Sequence, residues 1–144
     1  MTMTWTHTEN CHSRRVGVCS SIMAEYAGDF IPRRDIPAGT NLPLIAHVGG
    51  IYHNLGKALF PALIGDDFER KVIKAAGEIP LITEISAVAD TLDRRMTPHP
   101  HESSADVLAG IKAQAGRNFF ESALVCLERA WPRLMIQYKK WGMN

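Results

Sequence analysis

The chain has 144 residues, of which 46% are hydrophobic and 22% are charged, and its formal net charge is +1. This balance is typical of one globular domain and argues against wholesale disorder, while no stretch approaches the roughly 20 apolar residues of a membrane-spanning helix. A near-neutral total also gives no electrostatic signature of a nucleic-acid-binding protein.

The N-terminal part, residues 1–22, is rich in Thr, Ser, His and Arg and shows no hydrophobic period. We predict a loose tail here, followed by a helical domain over residues 23–144. His7, Cys11, His12 and Cys19 are acceptable zinc ligands by type, but their spacing matches no compact zinc site. An odd total of three cysteines suits a reducing compartment, so we expect a cytoplasmic protein.

The segment "LIAHVGGIYHNLGKALF", residues 44–60, places apolar residues at steps of three and four, and this spacing predicts a helix over 44–64. It is not a phosphate-binding loop, because Ala58 stands where such a loop needs Ser or Thr. His47 and His53 lie six residues apart, roughly 120° around an ideal helix, and make a poor metal-binding pair.

Two further helices are predicted over 66–77 and 79–96, although the β-branched residues of 79–86 leave a strand open there. Asp90 and Asp93 fall in the second of these helices, where solvent exposure is a sufficient explanation for a pair of carboxylates. Ser103 with Asp106 resembles a capping box and begins the next helix. Gly116 then either lies inside one long helix or ends it.

The last segment carries an apolar seam at alternating steps of four and three, as in a coiled coil. The seam consists of Phe120, Leu124, Leu127, Trp131, Leu134, Tyr138 and Trp141. Pro132 removes one backbone donor from this helix and predicts a kink. The fold class is therefore an all-α, single-domain bundle of four to six helices, with a loose N-terminal tail and a long kinked C-terminal helix.

Apolar residues of the C-terminal helix spread over more than one face, which favours cover from a second chain. Trp, Tyr, Met and Arg are also enriched at the cores of protein interfaces. We predict that this helix docks into a groove of a partner protein. Four side chains would insert, Trp131, Leu134, Tyr138 and Trp141, with Arg133, Lys139 and Lys140 at the rim. The predicted partner-binding residues are Phe119, Trp131, Arg133, Leu134, Tyr138, Lys139 and Trp141.

These features predict a small partner-binding regulator or adaptor that forms a homodimer. Its role would be to sequester a transcription factor or block its dimerisation, as an antiactivator or antitoxin does. No cofactor and no catalytic residue is predicted. The alternative is a small metal-dependent enzyme, with His47, His53, His99 and His101 as candidate ligands. A third hypothesis is DNA binding through the basic residues of 107–144.

Overall fold

The computed structural model describes residues 7–35, 41–52, 79–97 and 102–143, and these residues form an all-α bundle. The described ranges contain five α-helices and no strand, which confirms the predicted bundle of four to six helices. In chain order the helices are α1 His7–Ala24, α2 Leu42–Tyr52, α3 Pro80–Met96, α4 Ser104–Lys112 and α5 Glu121–Lys140. Two short 3-10 helices, Gly28–Phe30 and Arg33–Asp35, follow α1.

The hydrophobic core is shared by all five helices. α1 packs most extensively against α2 and also contacts α3 and α5, while α3 contacts α4 and α5. The fully buried large side chains include Val16 and Met23 of α1, Ile45 of α2, Ile82 and Leu92 of α3, Ile111 of α4, and Leu127 and Leu134 of α5. α1 and α3 are therefore the central helices of the described bundle.

The prediction of a loose tail over residues 1–22 is wrong for residues 7–22, which belong to α1. Many of the buried positions of α1 carry small or polar residues, including Ser13, Gly17 and Ser20. Their side chains contribute little to a hydrophobic period, so a buried helix looks like a polar segment in the sequence. Residues 1–6 lie outside the described ranges.

Small residues also explain how closely α1 and α2 pack. A Cβ atom built on Gly50 would lie 2.8 Å from the Cα of Gly17, 2.8 Å from the Ser20 Oγ and 2.9 Å from the Val16 carbonyl oxygen. Real Cβ atoms do not approach backbone atoms this closely, so any side chain at position 50 forces the helices apart. The Gly17–Gly50 contact therefore sets the distance between α1 and α2.

The helical prediction for 79–96 is confirmed by α3, which begins with Pro80 and buries Leu81, Ile85, Val88 and Leu92. Ser103 also caps α4 as predicted, since its hydroxyl accepts a hydrogen bond from the Asp106 amide. α4 ends at Lys112, and Gly116 lies in the following turn with φ of 73°. The positive φ explains the glycine, because other residues rarely adopt it.

α5 is the long C-terminal helix, and it continues from Glu121 to Lys140 through Pro132. The predicted kink at Pro132 stays a prediction. The helix predicted over 44–64 is observed over Leu42–Tyr52, whereas its continuation and the helix predicted over 66–77 lie outside the described residues. Within the described ranges, no helix is long and apolar enough to cross a membrane.

We expect Gly50→Ala to destabilise the protein by about 1–2 kcal/mol. Overpacking a core costs about 1–3 kcal/mol, and the better helix propensity of alanine offsets up to about 1 kcal/mol of this loss. Urea denaturation measures the free energy of unfolding. Gly28→Ala is the control, since a Cβ there meets nothing within 4 Å. Equal stability of Gly50→Ala and the parent protein would show that the helices separate without cost.

Candidate functional site

A group of polar side chains joins α1, α3 and α5 around the fully buried carboxylate of Asp93. The Oδ2 atom of Asp93 lies 2.5 Å from Nδ1 of His12. Its Oδ1 atom accepts hydrogen bonds from Nε of Arg15 at 2.9 Å and from the Tyr138 hydroxyl at 2.7 Å. We define the Asp93 cluster as His12, Arg15, Cys19, Asp90, Asp93 and Tyr138.

Helical spacing brings these groups together. His12 and Arg15 are three residues apart on α1, and Asp90 and Asp93 are three residues apart on α3. Residues at this separation lie on the same face of a helix. Each helix therefore presents a pair of charged or chargeable groups to the other, cations from α1 and carboxylates from α3.

His12 lies between two carboxylates, since its Nε2 atom is 2.7 Å from Oδ1 of Asp90 while its Nδ1 atom contacts Asp93. Hydrogen bonds to Asp90 and then to Asp93 raise the pKa of His12 to about 9, although burial acts in the opposite direction. At neutral pH the imidazole is therefore protonated, and both ring nitrogens donate hydrogen bonds. A cationic imidazole of this kind is not a general base.

Asp93 stays ionised in spite of its burial. Loss of hydration by itself raises the pKa of the carboxyl group, but hydrogen bonds from His12, Arg15 and Tyr138 outweigh that effect and lower the pKa below its ordinary value. Asp90 is less buried and also accepts hydrogen bonds from Nε of Arg94 at 3.1 and 3.2 Å. Two carboxylates are thus balanced by an imidazolium and two guanidinium groups.

Tyr138 and Cys19 extend the cluster into the core. Burial is the largest cause that raises the pKa of the Tyr138 hydroxyl, and the charges of Cys19 and Asp93 act in the same direction. The hydroxyl therefore keeps its proton and donates a hydrogen bond to Asp93. The Cys19 thiol donates to the Tyr138 oxygen at 3.6 Å, and burial raises the pKa of this thiol to about 12. A thiol with such a high pKa is not a nucleophile at neutral pH.

The prediction that solvent exposure explains Asp90 and Asp93 is therefore wrong for Asp93, whose side chain is fully buried. The side chain of Asp90 is 18% exposed, so it reaches the solvent only in part. The interpretation of His12 and Cys19 as members of a polar tail is wrong as well, because both lie on the inner side of α1. One sequence signal existed: charged residues three apart on each helix. It becomes informative only when both segments are known to be helices.

The structure divides the predicted partner-binding residues into two groups. Leu134 and Tyr138 are completely buried and Phe119 is 9% exposed, so their predicted insertion into a partner is wrong for this fold. Their side chains pack in the hydrophobic core, and Tyr138 also belongs to the Asp93 cluster. The remaining four reach the surface: Trp131 and Trp141 are partly buried against the core, whereas Arg133 and Lys139 are exposed.

Arg133 is already engaged within the protein. Its Nη1 atom lies 2.7 Å from the carboxylate of Glu25, and hydrogen bonds to Tyr26 and then Glu25 raise the pKa of the guanidinium. Trp141 packs edge-to-face against Tyr138, with ring centroids 5.1 Å apart and planes at 89°. The indole is therefore held in one orientation by a ring that Asp93 holds in turn.

The candidate metal ligands are not brought together within the described residues. His47 is half-buried on α2, while His53, His99 and His101 lie outside the described ranges. Among the described side chains, no group of three or more His, Cys, Asp or Glu residues has an arrangement able to hold a metal ion. The metal-binding hypothesis for these four histidines stays a prediction.

Comparison with known proteins gives no relative for this chain. No protein-family model, no curated protein and no solved structure matches it. Function therefore has to follow from the geometry and chemistry of the described side chains alone.

The Asp93 cluster predicts a specific pH dependence of stability. The pKa of His12 is about 9 in the folded protein and about 6.5 when unfolded, so its contribution is complete below pH 6.5 and is lost as pH rises through 9. The pKa of Asp93 is lowered, so its contribution is lost only at strongly acidic pH. We expect the free energy of unfolding to fall by up to about 3 kcal/mol between pH 6 and pH 9.5.

Urea denaturation at both pH values measures this fall, and His12→Asn is the matched variant. Asparagine does not titrate, so the variant should be less stable at pH 6 and should lose the part of the pH dependence that His12 causes. The same decrease in both proteins would assign the pH dependence to other groups.

Proposed function

We propose that this chain is a helical partner-binding protein that receives an amphipathic helix in a groove beside the end of α5. The observation that carries the proposal is a cavity of about 400 Å³ between the end of α3, the start of α4 and α5. Its lining consists of Met96, Ser103, Ser104, Met135, Ile136, Tyr138, Lys139 and Met143. We call this cavity the methionine groove.

The side chains of the groove suit a protein partner. Ile136 is 57% exposed and lines the cavity together with other apolar side chains, so it belongs to an apolar patch and is not an isolated exposed residue. Three methionines line the same cavity, and unbranched methionine side chains adapt to varied apolar surfaces. Apolar residues along one face of a partner helix could therefore pack against exposed Ile136 and against the adaptable methionine side chains of the groove.

The charge around the groove favours an acidic partner helix. Lys139 lines the cavity and Lys140 follows it in the last turn of α5, and both are exposed. An acidic group at the edge of a docked helix would lie close to the ammonium group of Lys139, the one charged residue among those that line the cavity. The expected gain is in the rate and specificity of association more than in affinity.

This proposal keeps helix-in-groove docking but exchanges the roles of the two proteins. The groove now belongs to this chain, and it lies beside the face of α5 with Met135 and Ile136 instead of the buried face with Leu134. In the proposed role, the protein is a small regulator that covers the dimerisation helix of a transcription factor, as an antiactivator or antitoxin does. The groove and its charge support this role. Homodimer formation is a separate part of the proposal, and it has its own outcome in the test.

The test introduces one charge into the groove. Ile136→Glu should weaken partner binding at least tenfold, because truncating or charging a central apolar anchor costs about 2 kcal/mol or more. Phe120→Glu is the matched control, since Phe120 is 50% exposed but lies at the start of α5, away from the groove. Both variants replace exposed side chains, so thermal unfolding should be close to that of the parent.

Binding is measured with a photo-crosslinking amino acid placed at position 136 or at position 120, followed by mass spectrometry of the crosslinked peptide. Crosslinks from 136 to an acidic amphipathic helix of another protein support the proposal. Crosslinks to a second copy of this chain, with Ile136→Glu converting a dimer to a monomer, assign the groove to self-association instead. Crosslinks equal at both positions, or absent from 136, contradict it.

A second hypothesis is metal-dependent catalysis, for which the described residues offer the pair of His12 and Asp90. An imidazole and a carboxylate are a frequent pair of ligands for Zn²⁺ and Mn²⁺. The edge of the Asp93 cluster at these residues is the less buried one, with side-chain exposures of 13% and 18%. A metal would have to displace the proton of His12 and recruit at least one more ligand.

Metal analysis of the purified protein tests this second candidate. This hypothesis predicts about one equivalent of Zn²⁺ or Mn²⁺ per chain, an increase in thermal stability on adding the same metal, and loss of both effects in His12→Ala. His47→Ala is the control for a histidine outside the cluster. A metal-free protein whose stability no divalent cation changes would reject the hypothesis.

A further inference from the structure

A second cavity lies on the other side of the C-terminal turn, between α1 and the residues that follow α5. Its volume is about 350 Å³, which is at the lower end of the range for small-molecule sites. The lining residues are Arg14, Arg15, Val18, Trp141 and Met143. We call this cavity the arginine–tryptophan pocket, and nothing in the proposed partner-binding function makes use of it.

The walls of the pocket combine positive charge with a flat aromatic surface. Two of the five lining residues are arginines, and none of the five is acidic. Arg14 is exposed, and no ion pair joins it to another of the described residues. Val18, Trp141 and Met143 supply the apolar part of the lining. A guanidinium beside apolar walls is suited to an anionic group carried by a hydrophobic ring system.

Two of the walls are held in place before any ligand arrives. Nε of Arg15 donates to the buried carboxylate of Asp93, and the indole of Trp141 rests edge-to-face against Tyr138, which donates to the same carboxylate. Arg15 and Trp141 are therefore both oriented by the Asp93 cluster. A preformed site loses less conformational entropy on binding than one that has to assemble around its ligand.

We infer that the arginine–tryptophan pocket binds a small aromatic anion, with its rings between Trp141 and Val18 and its anionic group at Arg14. Arg15 carries less of the ligand's charge, because Asp93 already neutralises it. The pocket thus selects for two features together, a planar apolar ring and a negative charge. Neither an uncharged ring nor a small inorganic anion satisfies both.

The experiment titrates the full chain with three probes and follows the indole N–H resonance of Trp141 by NMR, assigned by its loss in Trp141→Phe. 1-Naphthoate has both features, 1-naphthamide keeps the rings without the charge, and inorganic phosphate keeps charge without rings. We expect 1-naphthoate to shift this resonance saturably and to bind roughly tenfold more tightly than either of the other two.

Variants locate the binding site. Arg14→Gln should weaken 1-naphthoate binding roughly tenfold and leave 1-naphthamide unchanged, and Arg34→Gln, an exposed arginine beyond α1, should change neither. Trp141→Phe keeps a flat ring and should retain part of the affinity for 1-naphthoate. Because this variant lacks the indole N–H, its binding is measured from the methyl resonances of Val18. Because Arg14 is exposed, its variant should unfold at the same temperature as the parent.

The inference is overturned by any one of three results: 1-naphthoate and 1-naphthamide bind equally well, Arg14→Gln leaves the affinity for 1-naphthoate unchanged, or saturation leaves the Trp141 resonance unmoved. Met143 lines both cavities, but Arg14, Val18 and Trp141 line the arginine–tryptophan pocket and not the methionine groove. Loss of 1-naphthoate binding in Arg14→Gln is therefore distinguishable from loss of partner binding in Ile136→Glu.

Discussion

The arrangement of α1, α3 and α5 depends on the hydrogen bonds that the buried Asp93 carboxylate accepts from His12, Arg15 and Tyr138. An ionised carboxylate without partners is costly to bury, and removing one partner from a buried charged network typically costs several kcal/mol. Asp93 is stable in the core because His12 and Arg15 come from one helix and Tyr138 from another. The three helices therefore have to keep their relative positions for the charge to remain compensated.

The need to compensate the charge of Asp93 also determines which side chains of α5 face the solvent. Tyr138 points inward to reach Asp93, and Leu134, one turn earlier, is buried with it. Ile136 and Lys139 are among the exposed residues of α5, and both line the methionine groove. Trp141 follows at the end of the helix and contributes to the arginine–tryptophan pocket. Met143 lines both cavities, so the two proposed sites flank one turn of the chain.

Periodic apolar residues made much of the described fold predictable. α3 and α5 follow their apolar stripes closely, α4 begins where Ser103 can cap it, and α2 follows the period that starts at Leu44. α1 was not predictable in this way, because Gly17 and Ser20 are buried for their small size and not for their hydrophobicity. Close packing between α1 and α2 requires such residues, and they leave no apolar pattern.

The sequence by itself determined the all-α fold class, the order of α2 to α5 and the concentration of aromatic residues near the C-terminus, since each of these depends on local spacing and composition. Only the tertiary structure decided that Asp93 is a buried centre, that Tyr138 belongs to it, and that Ile136 and Trp141 face cavities. These outcomes depend on contacts between residues as far apart as Cys19 and Tyr138. A helical stripe shows which residues share a face, but the neighbouring helices decide whether that face meets the core or the solvent.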